Sequence, residues 1–158
     1  MWLSLETSSE QLGVALWQPQ SGRHWQRIEM VGRGMSARLH PLGQELLAEA
    51  NARPQDLTGI ALCTGPGSFT SLRLGLAAAQ GLGLALELPV IGVGAFELVA
   101  AAALPQLPPG LALEIWLKSM AAEVYTARYD AHGVCTRAPA TMRLETALTH
   151  ALGAWVVG

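Results

Sequence analysis

The sequence predicts an α/β protein built by duplication, and three observations carry that reading. A three-stranded meander opens the chain. Alternating helices and strands follow it. After a proline-rich break the same order begins again. The composition can support it: 51% of the 158 residues are hydrophobic, enough for a sizeable core. Only 14% are charged, which leaves few charges to solubilise the surface and makes a lasting protein–protein interface expected.

The elements follow in order. "WLSLETS" alternates apolar and polar residues, "SSEQ" is turn-like, and "QLGVALW" alternates again, so the two runs pair as a hairpin. "PQSG", residues 19–22, turns the chain into "RHWQRIEM", the third strand. From Ser36 the spacing becomes helical, with Leu39, Leu42, Leu46, Leu47 and Ala50 on one face and Ser36 as the expected N-cap. This first helix is expected over residues 36–52, with Pro54 beyond its end. "LTGIALCTG" reads as a buried strand, residues 70–86 as a second helix, "PVIGVG" as a short strand and "AFELVAAAAL" as a third helix. "PQLPPG", residues 105–110, holds three prolines and a glycine and can continue neither a helix nor a central strand. Beyond it, "LALEIWL", "EVYTARYD" and "GVCTRAP" form a second meander with "DAHG" at a hairpin turn. "RLETALTHAL" is then a helix and "AWVVG" a strand. The expected organisation is a first lobe at 1–104 (βββαβαβα), a linker at 105–110 and a second lobe at 111–158 (βββαβ). That is the layout of the actin-like or ribonuclease-H-like duplicated fold, with a complete first lobe and a shortened second one.

Charge and spacing narrow the chemistry. The net charge is -2, Lys118 is the sole lysine and the arginines are scattered, so no patch grips nucleic acid by counterion release. No basic region precedes an apolar run at the start, and the longest apolar stretch is broken by Glu87 and Pro89. Neither a leader nor a membrane span is expected. Cys63 and Cys135 have no metal spacing and read as reduced core or near-core thiols of a cytoplasmic protein. His24, His40, His132 and His150 form no HxxxH or HExxH pair, so no metal site is expected.

The loop "TGPGSFTSLRLG" poses the main question. Its amides before a helix could draw an anion, with Gly65, Gly67, Ser68 and Thr70 as the cradle and Glu6 as a carboxylate for a cation. It lacks the lysine of a Walker A loop, and no GxSxG, His or Lys activates Ser68 or Thr70, which favours a capping role. Arg73 follows the loop with no assigned partner. The helix after it carries Gly75, Ala77, Ala78, Ala79, Gly81, Gly83 and Ala85, small residues that let another surface approach closely. Both the chain's own sheet and a partner suit that stripe.

Three segments, "LSLETSSEQLGVALW", the run from "TGPGSFTSLRLG" to "GVGAFELVA", and "EVYTARYD", together resemble the TsaB family, also called YeaZ. The GPGSFT-x-x-R run is far more specific than a generic glycine-rich loop. The resemblance implies an actin-like fold without catalysis or cofactor. It implies a dimerisation subunit for TsaD, the transferase that places a threonylcarbamoyl group on N6 of adenosine 37 in tRNA. It also implies a TsaE-like ATPase as a further partner, and homodimers. The implied interface is the first two helices, here with Leu39, Leu42, Leu46, Arg73, Leu74, Ala77, Ala78 and Gly81. The chain departs from the family at Glu6 where Asp is usual, at Met35 where a His is common, and at Lys118, Ser119 and Met120 where Asp-Ala-Arg is usual. The paired-His metal motif of TsaD is missing. An alternative reading of the residues is a small actin-like ATPase or phosphotransferase using the Gly65–Thr70 loop and Glu6.

Overall fold

The computed structural model of the chain describes residues 1–119 and 122–158. It forms two compact units, Met1–Val93 and Gly94–Gly158.

In the first unit, β1 (Trp2–Glu6), β2 (Gln11–Gln18) and β3 (Arg23–Met30) form the expected antiparallel meander. α1 (Met35–Glu49) then leads to β4 (Gly59–Cys63), and α2 (Phe69–Leu86) to β5 (Val90–Val93). The sheet order is β3-β2-β1-β4-β5, with β4 parallel to β1 and β5 parallel to β4. The alternation in sequence sets this core. Leu3 and Leu5 face Leu16 and Val14 across the β1–β2 ladder, and Met35, Leu39, Leu42 and Leu46 of α1 are buried in the same cluster. α1 starts earlier than the sequence suggests. Gly34 occupies the N-cap without a side-chain bond, and Ser36 lies inside the first turn.

α2 is the one described helix with the length and apolarity of a membrane span, 18 residues at a mean hydropathy of 1.2. Glu87, which seemed to interrupt the run, sits outside the helix as its left-handed C-cap, with φ 54°. Strands on both sides of α2 are hydrogen-bonded to each other, so here it serves as a β–α–β crossover.

The second unit begins with α3 (Ala95–Ala103), continues through β6 (Ala112–Lys118), β7 (Glu123–Tyr129), β8 (Cys135–Arg143) and α4 (Leu144–His150), and ends with β9 (Ala154–Val157). Phe96 and Ala100 of α3 pack with Leu113, Ile115, Ala127 and Tyr129, so α3 shares a core with the second meander. The units therefore divide between Val93 and Gly94, ahead of residues 105–110. The order β8-β7-β6-β9 repeats β3-β2-β1-β4 of the first unit, including the parallel pairing of the last two strands. β8 runs on through Pro139, where the sequence seemed to end it. The register slips between Thr126–Ala140 and Arg128–Arg137, and β8 is an edge strand, so a bulge absorbs the residue that has no N–H. The turn at 130–133 forms as expected, with the Asp130 carboxylate accepting from the His132 and Val134 amides at 2.9 Å each. Those amides, Val134 first, hold Asp130 below the usual carboxylate range.

Candidate functional site

The loop from Gly65 to Ser68 lies against the β1–β2 hairpin. Gly65 takes φ 92°, a left-handed conformation suited to glycine, and precedes a cis Gly65–Pro66 bond. Gly67 passes so near the hairpin that a Cβ there would meet the Ser8 carbonyl. The Ser68 amide donates to that carbonyl at 2.7 Å. Ser68 is the N-cap of α2: its hydroxyl accepts from the Ser71 amide at 3.4 Å. Of the two capping candidates it is Ser68, not Thr70, that fills the role.

The carboxylate expected to face this loop is engaged as well. Glu6 accepts from the Ser8 amide at 2.5 Å. Cys63, buried at the end of β4, lies against the same group. Burial first, and then the hydrogen bond to Glu6, push the Cys63 thiol up to about 11. Gly65, Gly67, Ser68 and Glu6 are thus brought together as one braced corner, while Thr70 is exposed in the first turn of α2. The second thiol differs from expectation: Cys135 is exposed on edge strand β8, not in a core. Among the described residues no three His, Cys, Asp or Glu side chains are grouped to hold a metal ion.

α2 answers the question its small residues raise. Gly75, Ala79 and Gly83, spaced four apart, are the buried positions of the helix. A Cβ on Gly75 would meet the Thr7 hydroxyl, and one on Gly83 would meet Val90. One small stripe therefore serves the chain's own sheet. Ala77, Gly81 and Ala85 belong to an exposed face with Phe69 (72% exposed), Leu76 and Leu84 (85%). Arg73 lies on that face and stacks its guanidinium over the Phe69 ring, 5.1 Å from the centroid, while Glu6 is occupied by the hairpin. Leu74 and Ala78 are half-buried at its border.

α1 departs from the expected surface. Leu39, Leu42 and Leu46 are buried in one cluster with the apolar residues of β1, β2 and β4, because their spacing aims them at the sheet. They are core residues, not the exposed partner surface that the resemblance implied. The outer side of α1 instead carries a charge clamp. Arg38 donates to both oxygens of Glu29 on β3, at 2.6 and 2.7 Å, and to both of Glu45, at 2.5 and 2.8 Å. Arg27 of β3 reaches Glu49 at 2.5 Å. The cross-element half of this clamp was not legible in the sequence, because Glu29 and Arg27 reach α1 from β3.

In the second unit, Lys118 is exposed at the end of β6; Met120, the last position of the expected Asp-Ala-Arg site, lies outside the described residues. Glu114 is fully buried and paired with Arg137.

Comparison with known proteins follows this geometry. The family model described as "TsaD: tRNA N6-adenosine threonylcarbamoyltransferase" matches residues 29–140. The chain is 37% identical over 98 residues to the tRNA threonylcarbamoyladenosine biosynthesis protein TsaB of Escherichia coli K12, covering 62% of this chain and 42% of that protein. It is 37% identical over 110 residues to the tRNA N6-adenosine threonylcarbamoyltransferase of Nitrosospira multiformis, covering 60% of this chain and 32% of that one. The solved structure of YeaZ from Pseudomonas aeruginosa superposes with a TM-score of 0.77 at 29% identity, covering 91% of this chain and 67% of that chain. The ethanolamine utilization protein EutJ of Carboxydothermus hydrogenoformans, 13% identical with a TM-score of 0.50, covers 89% of this chain and 51% of its own, and shares the fold alone. The chain spans about two fifths of the length of the curated TsaB relatives it matches. With its duplicated actin-like architecture and its match over 112 residues of the TsaD model (29–140), the chain belongs to that family and, within it, to the TsaB (YeaZ) members.

Proposed function

We propose that the chain is a non-catalytic subunit of the machinery that forms N6-threonylcarbamoyladenosine in tRNA, pairing with a TsaD-like transferase through α2. One observation carries this reading most directly: α2 presents a second, outward face of Phe69, Leu76, Ala77, Gly81 and Leu84 after its inner face has satisfied the sheet. Exposed large apolar side chains interleaved with small ones suit a helix packing against another helix. The names of its TsaB relatives supply the pathway. The braced Gly65–Ser68 corner supports a positioning role, since its Ser68 amide bonds the hairpin instead of standing free for a phosphate. A TsaE-like ATPase joins the pair in a larger complex, and the assembly works in the cytoplasm.

The experiment is co-expression of the chain with a TsaD-like subunit, followed by co-purification and an assay of modified tRNA. A stable complex whose modification depends on the chain supports the reading. Full transferase activity without the chain, with no complex formed, contradicts it. Modification by the chain alone would instead assign it the transferase activity named for its other relatives.

A further inference from the structure

α2 spans 18 residues, and Arg73 is the one charged residue among them. It is exposed on the outward face, in the company of Phe69, Leu76, Ala77 and Leu84. The chain does little to satisfy this charge. The guanidinium sits 5.1 Å from the centroid of the Phe69 ring, a contact that engages the charge and not the N–H donors. The helix dipole gives no support either, because a cation is favoured at the C-terminal end and Arg73 stands in the second turn from the N-terminus. Ion pairs among the described residues engage Arg27, Arg38, Arg53 and Arg137 instead. Glu6, at the corner that precedes α2, already accepts from the Ser8 amide.

We infer that Arg73 is the specificity contact of this face, and that the TsaD-like partner brings an Asp or Glu carboxylate to meet it. The inference rests on the reading of α2 as the assembly surface, and charge complementarity carries it. Burying the apolar face takes Arg73 out of water as well, and a buried cation is tolerated when a hydrogen-bonded anion accompanies it. A guanidinium presents its N–H donors in a fork that matches a carboxylate two at a time. A tRNA phosphate fits less well, because gripping nucleic acid takes several cations together and α2 supplies one in an apolar setting. Helix geometry places the acid. Ala77 and Gly81, one turn apart, let a partner approach most closely, and Arg73 precedes Ala77 by one turn. The carboxylate therefore lies about 6 Å along the axis from Ala77, toward the N-terminal end of α2. The contact discriminates as well as binds, since a partner face without an acid there leaves the guanidinium desolvated and unpaired.

The test measures binding of the 158-residue protein to a TsaD-like subunit, for wild type, Arg73→Met, Arg73→Lys and Leu84→Asp. Circular dichroism checks that each variant is folded. Arg73→Met keeps the apolar body of the side chain and removes its charge. The expected result is binding weakened by roughly tenfold or more in Arg73→Met, with partial recovery in Arg73→Lys. A second measurement identifies the acid. Each Asp or Glu of the TsaD-like subunit that the chain protects from carbodiimide labelling is replaced by its amide. One such replacement should weaken binding of wild type and leave Arg73→Met unaffected, the signature of a direct pair. Wild-type affinity in Arg73→Met, with Leu84→Asp still disrupting the complex, overturns the inference and leaves the α2 reading standing. A loss in Arg73→Met that couples to no carboxylate of the partner overturns it as well. Absence of any complex with the wild-type chain overturns the α2 reading and, with it, the inference.

Discussion

At the scale of residues, the Gly65–Ser68 corner shows how close approach substitutes for a ligand. Gly67 is glycine because the Ser8 carbonyl occupies the space of a Cβ. Gly67→Ala should lower stability by about 1–3 kcal/mol, the usual cost of forcing atoms into a packed site, as read by urea denaturation. An unchanged midpoint would mean that the hairpin and the loop are not in contact. The two thiols make a second case. Cys63 is buried with its thiol pushed up to about 11, whereas Cys135 is exposed. Alkylation at neutral pH should label Cys135 alone in the native protein, and both thiols in urea, as read by mass spectrometry. Rapid native labelling of Cys63 would contradict its burial. The buried strand ending in Cys63 was legible in the sequence, whereas the exposure of Cys135 was not, since it depends on β8 lying at the sheet edge.

At the scale of elements, α1 and α2 divide their labour by face. α1 commits Leu39, Leu42 and Leu46 to the core and fastens its outer side to β3 through Arg38. Hydrogen bonds from Arg38 hold Glu29 and Glu45 below the usual carboxylate range. A carboxylate lowered in the folded state adds stability above its unfolded pKa, about 4.3 for Glu, and loses it as pH falls through the folded value. Arg38→Met should therefore be less stable than wild type at neutral pH. The gap should close as the pH drops below the ordinary carboxylate range, measured by urea midpoints across pH. A gap that stays constant with pH would assign the effect to packing alone. These groups are partly exposed, so solvent screening keeps the effect small. For α2, Leu84→Asp should leave stability within about 0.5 kcal/mol, as expected of an exposed position, while weakening the complex with a TsaD-like subunit at least tenfold. Loss of folding in that variant would show Leu84 to be structural. The sequence displayed the small residues of α2 but not their allocation. Gly75, Ala79 and Gly83 declare themselves only once Thr7 and Val90 are seen against them. Leu39, Leu42 and Leu46 could have been recognised as core from the same spacing that marked the helix.

At the scale of the whole molecule, the duplicated order was legible because the strand runs alternate apolar and polar residues and the turns at 19–22 and 130–133 each carry a glycine. Glycines at 22, 110 and 133 all take positive φ where turns were expected. The division between the units was less legible. Pro105–Gly110 is the clearest break in local sequence, yet Phe96 and Ala100 draw α3 into the core of the second unit, an outcome of packing that proline content does not report. Pro139 misled in the opposite direction, because a bulge on an edge strand accommodates what a central strand would not. The family was legible from the GPGSFT-x-x-R run, and the outward face of α2 is the structural feature on which the proposed assembly role rests. The most direct measurement is formation of N6-threonylcarbamoyladenosine by a TsaD-like subunit with wild-type chain, with Leu84→Asp and with no chain. Modification should appear with wild type and fall sharply with the variant and without the chain. Equal modification in all three reactions would contradict a dimerisation role.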